Sequence, residues 1–190
     1  MWTNWIASAQ ELDQSLLEDI HRVTPASWDP WMQAITTLGS LEFLGALVVA
    51  VAAVLAWLRQ WKPAITMVVS GLLTLLLRQV LKELFHRPRP ELWAALSENS
   101  YSFPSGHALG SVIIYGVLIY LLSRSRPRWR SFLWGLYGVL VVAIGFSRLY
   151  LGLHWPTDVL GGWAFGALAL FGLILWHENH FPLPKWLRGF

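Results

Sequence analysis

The chain has 190 residues, enough for a single domain. It is 55% apolar and 13% charged, with a net charge of +3 and no cysteine. A charged share that low, roughly half the ~25% of soluble domains, argues for an integral membrane protein. The absence of cysteine excludes disulfides and thiolate chemistry, and a charge of +3 is too small to point to nucleic acid.

Residues 1–32 lack the basic start and unbroken apolar core of a signal peptide. Ile6, Ala9, Leu12, Leu16, Ile20 and Val23 recur at helical spacing, with Glu11, Asp13, Glu18 and Asp19 between them. That pattern predicts an amphipathic helix, either lying in a membrane interface or packed on the other spans. Pro25 and Pro30 end it.

Five apolar runs follow, near the length that crosses a bilayer. They cover 35–57, 64–81, 104–122, 132–146 and 158–176. The domain reading is one unit over 1–190: an amphipathic segment over 1–32, a transmembrane bundle over 33–176 and a cytoplasmic tail over 177–190. Most of the thirteen tryptophans flank the runs, as an aromatic belt would. Gly162 and Gly166 form a GxxxG pair suited to close helix contact. Arg59, Lys62, the arginines at 124, 126, 128 and 130, Lys185 and Arg188 share one side if five spans alternate. The positive-inside rule makes that side cytoplasmic.

Three polar clusters fall on the other side. The first is Lys82 with Arg89-Pro90, and the second is Pro104-Ser105-Gly106-His107. The third is Ser147-Arg148 followed by His154 and Asp158. Charge at a membrane edge is costly and needs a reason. Asp158 stands four residues after His154, within reach of one imidazole nitrogen, which leaves the other nucleophilic. Lys82, Arg89 and Arg148 with a helix N-terminus at Ser105-Gly106 make an anion pocket. Taken singly, each cluster also has a plain structural reading as snorkelling cations, a helix start or a buried histidine; their joint occurrence favours the pocket. Arg78, His86 and Arg87 lack that support and are read as interfacial or as supports around the pocket.

The chemistry that fits is phosphoryl transfer, which needs positioning and charge stabilisation above all. No acidic cluster in the sequence suits Mg²⁺, so the cations take the metal's place, with no metal and no cofactor. His154 would attack phosphorus, and His107 would protonate the leaving oxygen and then activate water.

Lys82-x6-Arg89-Pro90, Pro104-Ser105-Gly106-His107 and Ser147-Arg148-x5-His154-x3-Asp158 together resemble the three-part signature of the type 2 phosphatidic acid phosphatase family. The resemblance covers residues 82–158, and the span pattern extends it to about 176. It implies an all-α membrane bundle of the phosphatase/haloperoxidase fold and metal-independent dephosphorylation of a lipid phosphate or diphosphate. Undecaprenyl diphosphate, phosphatidylglycerophosphate and phosphatidate are the candidate substrates. It implies His154 as nucleophile, Asp158 as its orienting partner, His107 as acid and base, and Lys82, Arg89, Ser105, Gly106 and Arg148 as phosphate ligands. The expected surroundings are a bacterial plasma membrane, with the site facing outward and lipid as the partner. The competing reading is a transporter or flippase that binds an anionic headgroup without hydrolysis.

Overall fold

In the computed structural model of the chain, residues 2–90 and 100–180 are described, with side chains from residue 10 onward. The loop at 91–99 and the tail cations Lys185 and Arg188 lie outside the described residues. Among the described residues there are seven α-helices and two short 3₁₀ turns, the helices being α1 (Trp2–Val23), α2 (Asp29–Thr37), α3 (Leu41–Trp57), α4 (Trp61–Phe85), α5 (Gly106–Ser125), α6 (Arg130–Tyr150) and α7 (Pro156–His180). No strand occurs among the described residues. The protein is an all-α polytopic bundle.

Among the described residues, four stretches are long and apolar enough to cross a membrane: α4, α5, Pro127–Tyr150 and α7. The α2–α3 pair makes a fifth if its two limbs are taken as one span, bent by 43°. This departs from the uninterrupted run expected over 35–57. The break falls at Leu38-Gly39-Ser40, where Ser40 caps α3 by accepting a hydrogen bond from Phe43 N at 3.1 Å. Tyr115 Oη donates to the Leu38 carbonyl at 2.7 Å, so the interruption has a partner inside the bundle. Gly39 sits so close to α6 that a Cβ there would meet Ile144 Cγ2 at 2.6 Å.

α5 is the axis of the bundle: 67% of its apolar window is buried by protein, against 28–33% for α4, α6 and α7. Its buried face, including Leu109, Val112, Ile113 and Val117, packs with Leu44, Met67, Ile144 and Leu170. Apolar side chains on the outer faces of α4, α6 and α7 stay exposed, as lipid-facing residues do. α7 approaches α5 most closely at the glycine pair. A Cβ on Gly162 would lie 2.8 Å from Ser105 O, and one on Gly166 would lie 2.8 Å from Val112 Cβ. At the far end, Arg124 of α5 pairs with Glu178 of α7 at 2.7 Å, and His177 meets Thr66 of α4 at 2.7 Å.

The N-terminal helix docks with a face turned about 100° from Leu12 and Leu16 of the stripe that its periodicity marks. Leu12, Leu16 and Val23 are exposed, whereas Asp13 and Leu17 are buried against the bundle, with Asp13 only 1% exposed. In a membrane the apolar stripe has no need to seek the protein interior, because lipid solvates it as well. The carboxylate does need partners, and it finds them at the start of α7.

Candidate active site

The three motifs converge at one end of the bundle. Lys82 comes from the last turns of α4, Gly106 and His107 from the first turn of α5, Arg148 from the last turn of α6, and Asp158 from the first turn of α7. His154 stands in the tight turn between α6 and α7, where Gly152 has φ 65° and so takes the left-handed conformation that glycine adopts without strain. Ser105 N donates to Asp158 O at 2.9 Å, which clips the second motif to the third.

His154 is buried, and its two ring nitrogens face different neighbours. Nδ1 lies 3.4 Å from Asp158 Oδ2, and Nε2 lies 3.3 Å from Arg89 Nη1. A guanidinium only donates, so Nε2 is the acceptor and the ring proton is assigned to Nδ1, facing the carboxylate. The tautomer therefore leaves the Nε2 lone pair on the cavity side. Asp158 is held in turn by two further donors. Its Oδ2 accepts from Trp155 N at 2.8 Å, a reciprocal contact of the capping-box kind, and its Oδ1 accepts from Arg87 Nη1 at 2.6 Å. The carboxylate is fully buried, so these charged bonds offset the water it has lost.

Two side chains absent from the motifs complete this support. Arg87, read from sequence as interfacial or as a support around the pocket, bridges Asp158 and Asp13, with Nη2 2.6 Å from Asp13 Oδ2. Asp13 also accepts from Thr157 N at 2.9 Å and from the Thr157 hydroxyl, so α1 supplies a cap to the first turn of α7. Two signals for this were present in the sequence: a carboxylate near the chain start and an arginine beside the first motif. Neither signal paired them. His86, by contrast, is exposed at the left-handed C-cap of α4 and takes no part.

Polar neighbours help to position the cations of the motifs. Lys82 Nζ donates to Ser100 Oγ at 2.9 Å. Arg89 Nε donates to Ser100 O at 2.8 Å, and Arg89 Nη1 to Leu153 O at 2.6 Å. Arg148, 2% exposed, donates to Thr36 Oγ1 of α2 at 3.0 Å. Ser105 stands at the head of α5. Its side chain is buried and turned into α5 as the N-cap, with Ala108 N 3.4 Å from Oγ.

A cavity of about 890 Å³ joins these groups. Lys82, Gly106, His107, Arg148 and His154 line its polar end. From there it runs between α3 and α4, lined by Val48, Val49, Val68, Leu72 and Leu75. Several of these are exposed on the outer faces of their helices, so the groove opens sideways toward lipid.

With the geometry in place, comparison with known proteins is direct. The family model of the PAP2 superfamily matches residues 61–182. The chain belongs to the PAP2 superfamily. It is 37% identical over 166 residues to the phosphatidylglycerophosphatase B of Bacillus subtilis, covering 83% of this chain and 81% of that protein. It is 33% identical over 140 residues to the undecaprenyl-diphosphatase of Sulfolobus acidocaldarius, covering 70% of this chain and 64% of that one. Its fold matches the crystal structure of a transmembrane PAP2 type phosphatidylglycerolphosphate phosphatase from Bacillus subtilis with a TM-score of 0.84 and 33% identity, over 90% of this chain and 87% of that structure. This PAP2 protein is accordingly an integral membrane phosphatase, as its motifs predict.

Proposed function

We infer that the chain hydrolyses a lipid phosphate or diphosphate through a phospho-histidine, at the outer face of a bacterial plasma membrane. The observation that carries the reading is the continuity of the cavity. One end offers a histidine lone pair among cations, and the other offers an apolar groove open to the bilayer, so a single ligand with a phosphate head and a lipid tail fits both. Phosphatidylglycerophosphate and undecaprenyl diphosphate, named for the two curated relatives above, have that form. Phosphatidate does as well.

In the first step His154 Nε2 attacks phosphorus. The bond from phosphorus to the leaving oxygen breaks, and His107 gives that oxygen a proton. The lipid product departs, leaving phosphorus on Nε2. In the second step water attacks the same phosphorus as His107 takes its proton. The N–P bond breaks, its electrons return to Nε2, and inorganic phosphate is released. Lys82, Arg89 and Arg148, with the backbone N–H groups at Gly106, stabilise the charge that spreads over the phosphoryl oxygens. Asp158 holds the imidazole and stabilises the cation that forms when Nε2 is phosphorylated.

The test is phosphate release by detergent-purified protein in excess EDTA, with the three lipids and a soluble phosphate ester, beside His154→Ala. Release from lipid that is lost in the variant supports the reading. Release that persists in the variant removes His154 as nucleophile, and no release from any lipid by folded protein turns the reading toward headgroup binding or transport. The outward face is tested separately by a cysteine at the exposed His86 position, His86→Cys. Labelling in intact cells is expected, and labelling only after lysis would reverse the orientation.

A further inference from the structure

Arg78 stands apart from the cations of the three motifs. It lies four residues before Lys82 on α4, hence on the same face and about 6 Å, one helical turn, further toward the membrane interior. It lines the same cavity. Its guanidinium is folded over the start of α5, where a Cβ on Gly106 would stand 2.8 Å from Arg78 Nε. Among the described residues it makes no hydrogen bond or ion pair, although Glu42 lines the cavity too. A half-buried arginine at this depth, turned toward a cavity rather than outward, calls for an acceptor there, and a planar fork matches a phosphate.

The order of residues along α4 then reads as the order of groups along a lipid. Lys82 faces the reacting phosphoryl group, Arg78 comes next, and Leu75, Leu72 and Val68 continue into the groove. We propose that Arg78 forms a subsite for a second phosphate, seated between the reacting phosphoryl group and the lipid tail. The subsite selects lipids that carry two phosphates over those that carry one. Both a diphosphate, with a bridging oxygen, and a phosphomonoester joined through glycerol to a phosphodiester present that second phosphate on the tail side. Phosphatidate presents none. The Lys82–Arg78 interval spans either linkage, because both side chains are long and flexible. Gly106 has a stated role here as well: any side chain at that position would displace the Arg78 guanidinium from the cavity wall.

The proposal rests on the lipid phosphatase reading, and its test separates the two. Purified wild-type protein, Arg78→Gln and Arg78→Lys are assayed for kcat/KM on phosphatidylglycerophosphate, undecaprenyl diphosphate and phosphatidate. The readout is the ratio of each two-phosphate lipid to phosphatidate. Arg78→Gln is expected to lower that ratio roughly 10- to 100-fold, the loss due to one charge-assisted pair, and Arg78→Lys to recover part of it. A ratio within about 3-fold of wild type in Arg78→Gln, whatever the absolute rates, overturns the subsite. On the wild-type protein alone, methylenediphosphonate should inhibit phosphatidate hydrolysis at least about 10-fold more tightly than methylphosphonate, and equal inhibition counts against the proposal. Which of the two-phosphate lipids loses more identifies the linkage that Arg78 reads. Failure of the wild type to hydrolyse any lipid would instead defeat the phosphatase reading itself.

Discussion

Replacing Asp13 with alanine asks whether the N-terminal helix belongs to the catalytic apparatus. The carboxylate is buried and accepts from Thr157 N at 2.9 Å, from the Thr157 hydroxyl and from Arg87 at 2.6 Å. Removing it strands the Thr157 N–H and leaves Arg87 with a single carboxylate, Asp158. A buried donor that loses its partner costs about 1–3 kcal/mol, and a buried ion pair broken from one side about 3–5 kcal/mol. The two overlap because Arg87 keeps Asp158, so a loss of about 3–4 kcal/mol is expected. For a chain of this size that lowers the apparent Tm by about 6–16 °C. Thr157 adjoins Asp158, so kcat on phosphatidylglycerophosphate should fall about 10-fold, equivalent to about 1.4 kcal/mol of barrier. KM should stay within about 3-fold, since Asp13 is not among the residues lining the cavity. Asp13→Asn, which keeps one acceptor oxygen, should recover part of both losses. Thermal unfolding in detergent and steady-state phosphate release give the two readouts. An unchanged Tm would refute the energetic reasoning, and a lowered Tm with normal kcat would sever the link from α1 to the site.

The remaining predictions concern the supports of the cavity. Tyr115→Phe removes the donor to the Leu38 carbonyl and should cost about 1–3 kcal/mol, seen as a lower apparent Tm in detergent. Thr36→Val takes away the acceptor that positions Arg148 and should raise KM about 3- to 10-fold with a smaller change in kcat. Gly162→Leu drives a side chain into Ser105 O at the start of α5 and should abolish activity, while Gly172→Leu, where a Cβ meets nothing within 4 Å, should retain it. The proposed roles need His154 neutral and His107 protonated at the start, so kcat/KM should fall at both acid and alkaline pH, and His107→Gln should lose the alkaline limb.

How much of this could be read from residues alone differs by element. The three motifs were legible because charge and imidazole at the ends of apolar spans have few other uses. The all-α bundle was legible for the same reason, since only helices satisfy their own backbone across so apolar a sequence. The broken span at 38–40 was not, because apolar continuity from Ile35 to Trp57 hides a cap that depends on Ser40 and on a tyrosine from α5. The N-terminal helix misled through its stripe. Hydrophobic periodicity marks the face that avoids water, and in a membrane that face can turn toward lipid. Arg87 and Asp13 could not be joined from sequence, since 74 positions separate them and only the docking of α1 on α7 brings them together.

The bond between Asp13 and Thr157 also has a consequence for how the protein comes into being. Its partners lie 144 positions apart, so the carboxylate is made long before the helix it caps. The His154–Asp158 pair is therefore steadied by a residue made well before either of them. A nascent polypeptide with α1 to α6 already inserted still lacks both His154 and the helix that Asp13 caps. The pocket's polar end is thus assembled only once α7 has joined the bundle.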